Sequence, residues 1–365
     1  MKVLLSGYYG FDNAGDDAVL FAIVQALRDG MPDIEITVLS NQPEKTAEQF
    51  GVKAVNRWSK GGLLKAVKNC DVLISGGGSL LQDVTSKNGI LYYLGIIKLA
   101  QMLRKKVMIY AQGIGPIHEP RNRSLTAKIL NKVPVITVRD LDSRNALMEM
   151  GVYREVLVCV DPVLGIRAEQ IDAQQGLRLL EQAEAGFVQD KKTLMVAARN
   201  WQHSERFFQE IAESCDAMIQ EGWQVVFVPF HYPEDSDAGR KIAELMAQDA
   251  VVLSANYTPQ ETMAILKNAD LIMGMRLHSL IMGAALLKPM VALSYDPKVT
   301  SFMQLLRQPD CFAVDSMEAG QLVQSMQRLC QRTEKQKQIL EQHVEIMARQ
   351  AKAPAELLQS FVNSR

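Results

Sequence analysis

The stretch Leu271-Ile272-Met273-Gly274-Met275-Arg276-Leu277-His278-Ser279-Leu280-Ile281-Met282-Gly283-Ala284-Ala285 contains, in fifteen residues, a strand and a helix of the kind from which the whole chain is built. Without Arg276 and His278 it would be one long hydrophobic run. The apolar residues predict an almost fully buried strand at Leu271–Met273 and an almost fully buried helix after it. An obligate cation and an imidazole therefore stand between two buried elements.

Strands and helices alternate along most of the chain, because short runs rich in Val, Ile and Leu are separated by segments of helical period such as Asp17–Leu27 and Asn88–Arg104. This order is typical of parallel sheets flanked by helices. The predicted strands are Val3–Ser6, Ile34–Leu39, Val52–Asn56, Val72–Ser75, Val107–Ala111, Ile136–Val138, Val156–Val160, Leu194–Ala198, Val225–Phe230, Val251–Leu253, Leu271–Met273 and Val291–Ser294. The sequence thus predicts an α/β protein.

The length of 365 residues is too great for one ordinary core and indicates two domains. We expect an N-terminal Rossmann-like domain at residues 1–167, a polar connector at 168–189 and a second Rossmann-like domain at 190–330. A helical tail at 331–365 is expected to cross back to the first domain. The predicted architecture is two doubly wound domains facing a cleft.

The composition excludes several classes of protein. The 40 basic and 41 acidic residues give a net charge of −1, so no global field attracts nucleic acid. Five scattered cysteines without a C-x-x-C pair indicate reduced thiols, and the chain opens as a strand rather than a signal peptide. No apolar run reaches the roughly 20 residues of a spanning helix. We therefore expect a soluble, cytoplasmic protein.

Polar residues and glycines recur directly after the predicted strands. Ligands in such sheets bind beyond the carboxyl ends of the strands, so these positions are candidates for a binding site. They are Gly7–Asp17, Gly76–Ser79, Gln112–Pro116, Arg139-Asp140, Arg199-Asn200, His231, Arg276–His278 and Tyr295–Lys298.

Arg276 and His278 are the most informative of these residues. A buried arginine without an anionic partner is very costly. One interpretation is an internal salt bridge beside a core histidine. The functional interpretation, which we favour, is that Arg276 grips a carboxylate or phosphate in a bidentate manner, with His278 as the neighbouring acid or base.

Four further features allow two interpretations each. Lys298, at a helix start, is either solvated or accompanied by an anion. Arg139 either binds an anion or pairs with Asp140. The D-x-D pattern of Asp140 and Asp142 matches metal-dependent glycosyltransferases, but these residues more readily cap a helix, and we assign no metal. Gly76, Gly77 and Gly78 either present backbone N–H groups to a ligand or form a plain tight turn.

Six segments together resemble the polysaccharide pyruvyl transferase family, most closely its bacterial cell-wall members, which pyruvylate secondary cell-wall polysaccharide. In chain order they are Gly7–Asp16, Ile74–Gly78, Gln112–Pro116, Val138–Asp140, Arg276–His278 and Ser294–Lys298. The resemblance implies a fold similar to GT-B glycosyltransferases, with the acceptor on the first domain and the donor on the second.

The resemblance also implies an activity: transfer of a pyruvyl group from phosphoenolpyruvate, as substrate and without a cofactor, to two hydroxyls of a sugar. The products are a ketal and phosphate. In cell-wall members the acceptor resembles a lipid-diphosphate-linked N-acetylmannosamine, modified at its 4- and 6-hydroxyls. Arg276, Leu277 and His278 would belong to the phosphoenolpyruvate site, and Arg139 and Lys298 would serve it.

The residues agree with this chemistry. The donor carries a carboxylate and a phosphate, so its site needs several cations, and protonation of its enol carbon calls for a general acid such as His278. Gly10 and Gly15 have the spacing of a phosphate-binding loop, but aspartates follow where Lys and Ser or Thr would stand. This loop suits a neutral sugar, with Asn13 and Asp16 bonding to hydroxyls and Asp16 as base. Alternatively, Asp16 or Asp17 caps the first helix.

Two other functions remain open at this point. A GT-B glycosyltransferase would bind a nucleotide sugar, and a non-catalytic carbohydrate-binding protein would not need His278. Peripheral membrane contact is a further hypothesis. It rests on the apolar segment Ile90–Leu103 and the basic triad Arg104, Lys105 and Lys106, expected to be exposed, but a helix buried under the first sheet explains the segment at least as well.

Overall fold

The computed structural model describes residues 1–84, 86, 88–183, 186–202, 205–331 and 334–363. The chain forms two compact units. The first contains Met1–Phe11, Asp16–Gly165 and Met347–Arg365, and the second contains Asp12–Gly15 and Ile166–Ile346. The predicted domain bounds at 167, 189 and 330 stay predictions beside these contact-based units.

The first unit has a seven-stranded parallel sheet in the order β3-β2-β1-β4-β5-β6-β7. Its strands are β1 (Lys2–Ser6), β2 (Glu35–Ser40), β3 (Lys53–Asn56), β4 (Val72–Gly76), β5 (Lys106–Gln112), β6 (Val135–Val138) and β7 (Val156–Val158). Its helices are α1 (Ala14–Gly30), α2 (Pro43–Phe50), α3 (Lys60–Asn69), α4 (Gly89–Met102), α5 (Pro120–Leu130) and α6 (Leu141–Glu149).

The second unit has a six-stranded parallel sheet in the order β10-β9-β8-β11-β12-β13. Its strands are β8 (Thr193–Ala197), β9 (Gln224–Phe227), β10 (Val251–Val252), β11 (Leu271–Gly274), β12 (Met290–Ser294) and β13 (Cys311–Ala313). The helices are α7 (Ala173–Glu181), α8 (Glu205–Gln220), α9 (Glu234–Leu245), α10 (Pro259–Leu266), α11 (Leu277–Ala285), α12 (Pro297–Leu305), α13 (Ala319–Cys330) and α14 (Glu334–Asn363).

Each sheet is covered by helices, and this explains why the strand sequences are continuously apolar rather than alternating. Leu73 and Ile74 of β4 point to opposite faces, and both are completely buried. Leu271 and Ile272 of β11 behave in the same way. The chain is therefore an α/β protein of two doubly wound units, as its sequence predicts.

The last helix, α14, ends in the first unit, since the chain from Met347 onwards is grouped there. Near its end, the carbonyls of Phe361 and Val362 accept hydrogen bonds from Lys106 Nζ at 2.9 and 3.3 Å. Cations stabilise the carboxyl end of a helix because they interact favourably with the partial negative charge there. The predicted return of the C-terminal helix to the first domain is confirmed.

All twelve predicted strands are present, with bounds shifted by up to three residues, but the sequence reading missed β13. This strand has three residues, none of them fully buried, and lies at the sheet edge. A half-covered edge strand does not need a continuous apolar run, which is the signal that revealed the others.

Candidate functional site

The first unit has its switch point between β1 and β4, where the strand order reverses and where doubly wound sheets bind ligands. Gly76 ends β4 there, and the next residues, Gly77 and Gly78, have φ values of +76° and +63°. Only glycine adopts this region without strain. A side chain at Gly78 would also collide with Asp16 Oδ1. The glycine turn therefore lets the backbone lie directly against the Asp16 carboxylate.

Arg139, which follows β6, is held at the same end of the sheet. Its guanidinium is only 7% exposed and donates to Asp161 Oδ2 at 3.2 Å and to Ser79 Oγ at 3.1 Å. Its Nε lies 3.6 Å from Asp140 Oδ2, so the local ion pair considered from the sequence is present. Asp140 also caps α6 by accepting from Ser143 N at 2.7 Å, as predicted. A role of Arg139 in donor binding stays a prediction.

Asp16 is half-buried in the first turn of α1. Burial is the largest cause that raises the pKa of its carboxyl, to about 7, and the neighbouring Asp17 raises it further. Arg139 lowers the pKa of this carboxyl, and Asp161, whose effect is smaller, raises it. A carboxyl with a pKa near 7 can take up and release a proton at neutral pH, which suits the predicted general base.

The second unit has its switch point between β8 and β11, and Arg276 lies at the end of β11. Arg276 Nη2 and Nε donate to the two oxygens of Asp235 at 2.6 and 3.0 Å. Asp235 is 1% exposed and also accepts from the backbone N–H groups of Phe230 and His231 at 3.1 and 2.9 Å. The internal salt bridge considered from the sequence is therefore present.

The salt bridge does not use the whole guanidinium. Asp235 engages Nε and Nη2, and within the described residues Nη1 of Arg276 has no hydrogen-bond partner. A planar guanidinium fixed on one side by a buried carboxylate is oriented for a further anion. Asp235 was missed in the sequence because it lies in the first turn of α9, four residues beyond the selected His231.

The loop Asp12–Gly15 belongs to the second unit and lies beside this cluster. Ala14 N donates to the carbonyl of Phe230 at 2.9 Å, and Asn13 forms an isolated β-bridge with His231. Gly15 lies so close to His278 that a Cβ on this glycine would collide with Nδ1 of the imidazole. Within the second unit, the structure thus brings Gly15, from the predicted sugar-binding loop, next to the predicted acid His278.

Within this loop, Asn13 Oδ1 accepts from Gly15 N at 3.0 Å, which places an Asn cap at the start of α1. Asp16 and Asp17 lie inside the first turn. Leu277 is the first residue of α11 and is half-buried, and Ser279 Oγ donates to the carbonyl of Arg276 at 2.6 Å.

Two more cations lie beyond the strand ends of the second unit. Lys298 is half-buried at the second position of α12, where its N–H donates to the cap Asp296 Oδ1 at 2.9 Å. Arg199, after β8, donates to the hydroxyl of Tyr295 at 3.1 Å and lies 4.9 Å from its ring centroid. These contacts order Arg199 and Tyr295 at the end of the sheet where the predicted donor residues lie.

The membrane segment proposed from the sequence forms α4, and its interpretation as a buried helix is confirmed, since Ile90, Leu94 and Ile97 are completely buried. The basic triad is not uniformly exposed as expected. Lys105 and Lys106 are half-buried because they donate to carbonyls of Lys68 and α14. None of the helices in the described part of the chain is long and apolar enough to cross a membrane.

A cavity of about 410 Å³ lies beside α6 and β7, lined by residues such as Leu141, Arg144 and Tyr153. The predicted site residues do not line it. Its position at the outer edge of the first sheet separates it from the switch point, so it does not define the site. Groups of three or more potential metal ligands are absent from the described residues, and the lack of a metal stays a prediction.

Comparisons with known sequences identify a family. Residues 13–297 match the family model described as polysaccharide pyruvyl transferase. The amylovoran biosynthesis protein AmsJ of Erwinia amylovora is 21% identical over 382 aligned residues, covering 88% of this chain and 90% of that protein.

Solved structures show the same fold. Anabaena HepE in complex with UDP-glucose has a TM-score of 0.65 and 14% identity, with 100% of both chains covered. The ADP-heptose lipopolysaccharide heptosyltransferase II of E. coli has a TM-score of 0.56 and 14% identity, covering 90% of this chain and 98% of that one. The chain therefore has the two-domain, Rossmann-like GT-B fold.

Proposed function

The chain belongs to the polysaccharide pyruvyl transferase family, and from this premise we propose that it transfers a pyruvyl group from phosphoenolpyruvate to two hydroxyls of a sugar. The enol carbon of the donor gains a proton, the neighbouring carbon forms two C–O bonds to the sugar, and the C–O bond to phosphate breaks. The products are a cyclic ketal and inorganic phosphate.

The observation that carries the proposal is the cluster of Arg276, Asp235 and His278 at the switch point of the second unit. Asp235 fixes two nitrogens of the guanidinium, and Nη1 remains for an anionic group of the donor. The two planar edges of a guanidinium suit a carboxylate on one side and a second anion on the other. Lys298, half-buried at the start of α12, supplies a second positive charge for the other anionic group.

His278 is the proposed general acid. Protonation of the enol carbon makes the adjacent carbon electrophilic, and a group that delivers a proton there lowers the barrier of the first step. The imidazole lies at the second position of α11, directly after the anchoring Arg276. Gly15 permits the backbone of the neighbouring loop to approach Nδ1, because any larger residue would displace the ring.

Asp16 is the proposed general base for a sugar hydroxyl. A hydroxyl is a poor nucleophile until a base accepts its proton, and a base is most effective when its pKa lies near the working pH. The raised pKa of Asp16, about 7, meets that condition. Asn13 is proposed to bind acceptor hydroxyls.

For the acceptor we propose a lipid-diphosphate-linked N-acetylmannosamine unit of a cell-wall polysaccharide precursor, modified as a 4,6-ketal. The enzyme would then act at the cytoplasmic face of the membrane through peripheral contact. The family of polysaccharide-modifying transferases supports a sugar acceptor, and the remaining detail rests on the sequence resemblance.

Incubation with phosphoenolpyruvate and a panel of glycosyl acceptors tests the proposal. We expect phosphate release that depends on the acceptor, together with a product whose mass has increased by one pyruvylidene group. Arg276→Ala should weaken calorimetric binding of phosphoenolpyruvate strongly. Arg328→Ala is the control: Arg328 lies on α13 and pairs with Asp310, the residue before β13. Turnover with a nucleotide sugar and none with phosphoenolpyruvate would overturn the proposal.

A further inference from the structure

Four aromatic rings surround one buried arginine at the carboxyl ends of β1, β2 and β3. Arg57 follows β3 and is only 3% exposed. Its guanidinium carbon lies 4.5 to 5.5 Å from the ring centroids of its four neighbours, which are Phe11, Trp58, Tyr92 and Tyr93. We call these five residues the aromatic platform. All of them belong to the first unit.

Hydrogen bonds fix Arg57 within the platform. Nη1 donates to the carbonyl of Gly7 at 2.9 Å, and Nη2 donates to the hydroxyl of Tyr93 at 3.2 Å. Tyr92 in turn donates to the backbone carbonyl of Arg57 at 3.1 Å. The loop after β1, the end of β3 and helix α4 are thereby joined through one guanidinium.

The charge of Arg57 is not neutralised by a carboxylate. Among the described residues Arg57 forms no ion pair, and its buried Nε has no hydrogen-bond partner. A buried cation without an acid is costly, and the faces of the rings offset only part of that cost. A buried polar atom without a partner in a native protein calls for an explanation.

Trp58 differs from an ordinary core aromatic residue. Its side chain is 60% exposed, yet its indole Nε1 donates to Asn41 Oδ1 at 2.9 Å and its backbone N–H donates to Asn56 Oδ1 at 2.9 Å. The ring is therefore exposed but held in one orientation. A large apolar surface that is fixed and left open to solvent is typical of a binding surface.

A second exposed aromatic surface lies in the loop after β1. The rings of Tyr8 and Phe11 stack at 4.1 Å with only 8° between their planes, and Tyr8 remains 37% exposed. Phe11 is the member of this stack that contacts the guanidinium of Arg57. The platform therefore continues from Trp58 towards the loop for which the sequence predicts sugar binding.

We propose that the aromatic platform is a carbohydrate subsite, in which Trp58 stacks against a pyranose ring of the acceptor. The C–H face of a pyranose is apolar and carries weak positive charge, which matches the negative face of an indole ring. Pockets for small ligands combine such aromatic walls with a few fixed polar groups. Arg57 is a positioning residue that holds the rings. This inference rests on the proposed function for its ligand class.

The position of the platform agrees with this role. Doubly wound sheets bind ligands beyond the carboxyl ends of their strands, and Tyr8, Asn41 and Trp58 follow β1, β2 and β3 there. Asp16 and Gly78 lie at the same end of the same sheet, at the β1–β4 switch point. The platform thus extends the predicted acceptor region along three strands.

Saturation-transfer NMR with the methyl β-glycosides of N-acetylmannosamine, galactose and glucose tests the subsite directly. We expect saturation of pyranose ring protons by the parent protein for at least one glycoside. Trp58→Ala should weaken that binding by about tenfold or more, and Trp58→Tyr should restore part of it because it keeps an aromatic face. Tyr153→Ala is the matched control. Tyr153 is 80% exposed and precedes the amino end of β7, whereas Trp58 follows the carboxyl end of β3.

Transfer assays separate the subsite from the activity. Trp58→Ala should raise KM for the acceptor at least several-fold and leave KM for phosphoenolpyruvate unchanged. A merely structural role would lower stability and raise both KM values together. Sugar binding that depends on Trp58 without any transfer from phosphoenolpyruvate would remove the proposed function and keep the subsite. Parent-like binding by Trp58→Ala, or no contact of any glycoside with the parent protein, would overturn the subsite.

Discussion

The two sheets end in clusters of different electrostatic character. In the first unit, Arg139 faces two carboxylates, and the nearby Asp16 has its pKa raised to about 7. In the second unit, Arg276 faces a single buried carboxylate, that of Asp235, in a two-pronged salt bridge. Burial, and after it the neighbouring Asp17, raises the pKa of the Asp16 carboxyl, whereas a fixed arginine with one edge available favours an anion.

Under the proposed function, the two clusters have different chemical tasks. Proton exchange near neutral pH fits the first cluster, and recognition of an anionic donor fits the second. Both clusters lie at switch points of doubly wound sheets, so the fold determines where they lie. The charges in each cluster determine which ligand it can bind or whether it can exchange a proton.

The largest effect is expected for His278→Gln. Loss of a general acid should lower turnover by about 10²–10⁴-fold. Binding of phosphoenolpyruvate, measured by calorimetry, should persist because Arg276 and Lys298 are intact. His343→Gln on α14 is the matched control and should turn over normally. Normal turnover of His278→Gln would make the imidazole structural and reduce the second cluster to an anion site.

The next effect concerns the salt bridge of the second cluster. Asp235→Asn removes the charge partner of Arg276 and leaves a cation that is mostly buried, which typically costs about 3–5 kcal/mol. We expect a reduced free energy of unfolding in urea and weaker donor binding, because the guanidinium loses its fixed orientation. Asp237→Asn, an exposed pair with Arg240 on the same helix, should change stability by less than about 1 kcal/mol. Equal stability of the two variants would show that Asp235 does not hold Arg276 in solution.

The third prediction concerns pH. The folded pKa of Asp16, about 7, lies above its ordinary value of 3.8. Its contribution to stability is therefore fully present below pH 3.8 and is lost as the pH rises to 7. As a general base, the same group should make the rate rise with pH through about 7. Asp16→Asn should lower turnover, remove that limb of the pH–rate profile and increase stability relative to the parent at pH 8. If the rate of Asp16→Asn still rises with pH through about 7, another group is the base.

The smallest effect is expected at the glycine turn of the first cluster. Gly78→Ala introduces a Cβ at a φ of +63° and against Asp16, so it should destabilise the fold by about 1–2 kcal/mol or more. It should also shift the pH–rate limb, because the Asp16 carboxylate must move. Gly61→Ala is the matched control, since it meets no neighbouring atom within 4 Å. If Gly78→Ala matches this control in stability and pH profile, the glycine turn does not position the Asp16 carboxyl.

Much of the fold could be predicted from the sequence, because both sheets are covered on two faces and their strands are continuously apolar. β13 escaped because a short edge strand such as Cys311–Ala313 lacks that signal. The site residues Arg276, His278 and Asp16 were accessible through their places after strands. Asp235 was not, because its pairing with Arg276 joins residues 41 apart in sequence and depends on the order of strands in the sheet.

The aromatic platform shows the same limit. Arg57 and Trp58 follow β3 directly, but nothing in the local sequence places them beside Phe11 or Tyr92, which come from other elements. The exposure of the basic triad was also predicted incorrectly, again because a contact between distant parts of the sequence was not visible in it. Lys106 was expected to be exposed, yet the carboxyl end of α14, more than 250 residues away in sequence, accepts its hydrogen bonds.

In the proposed reaction the donor is phosphoenolpyruvate, and its enol carbon is protonated during transfer. The most direct measurement is the mass spectrum of the product formed in D₂O with a glycosyl acceptor. We expect a pyruvylidene ketal that carries one deuterium in its methyl group, formed by the parent protein and nearly absent with His278→Gln. A product without the pyruvylidene group would contradict transfer from phosphoenolpyruvate. A ketal whose methyl group contains no deuterium would contradict protonation of the enol carbon.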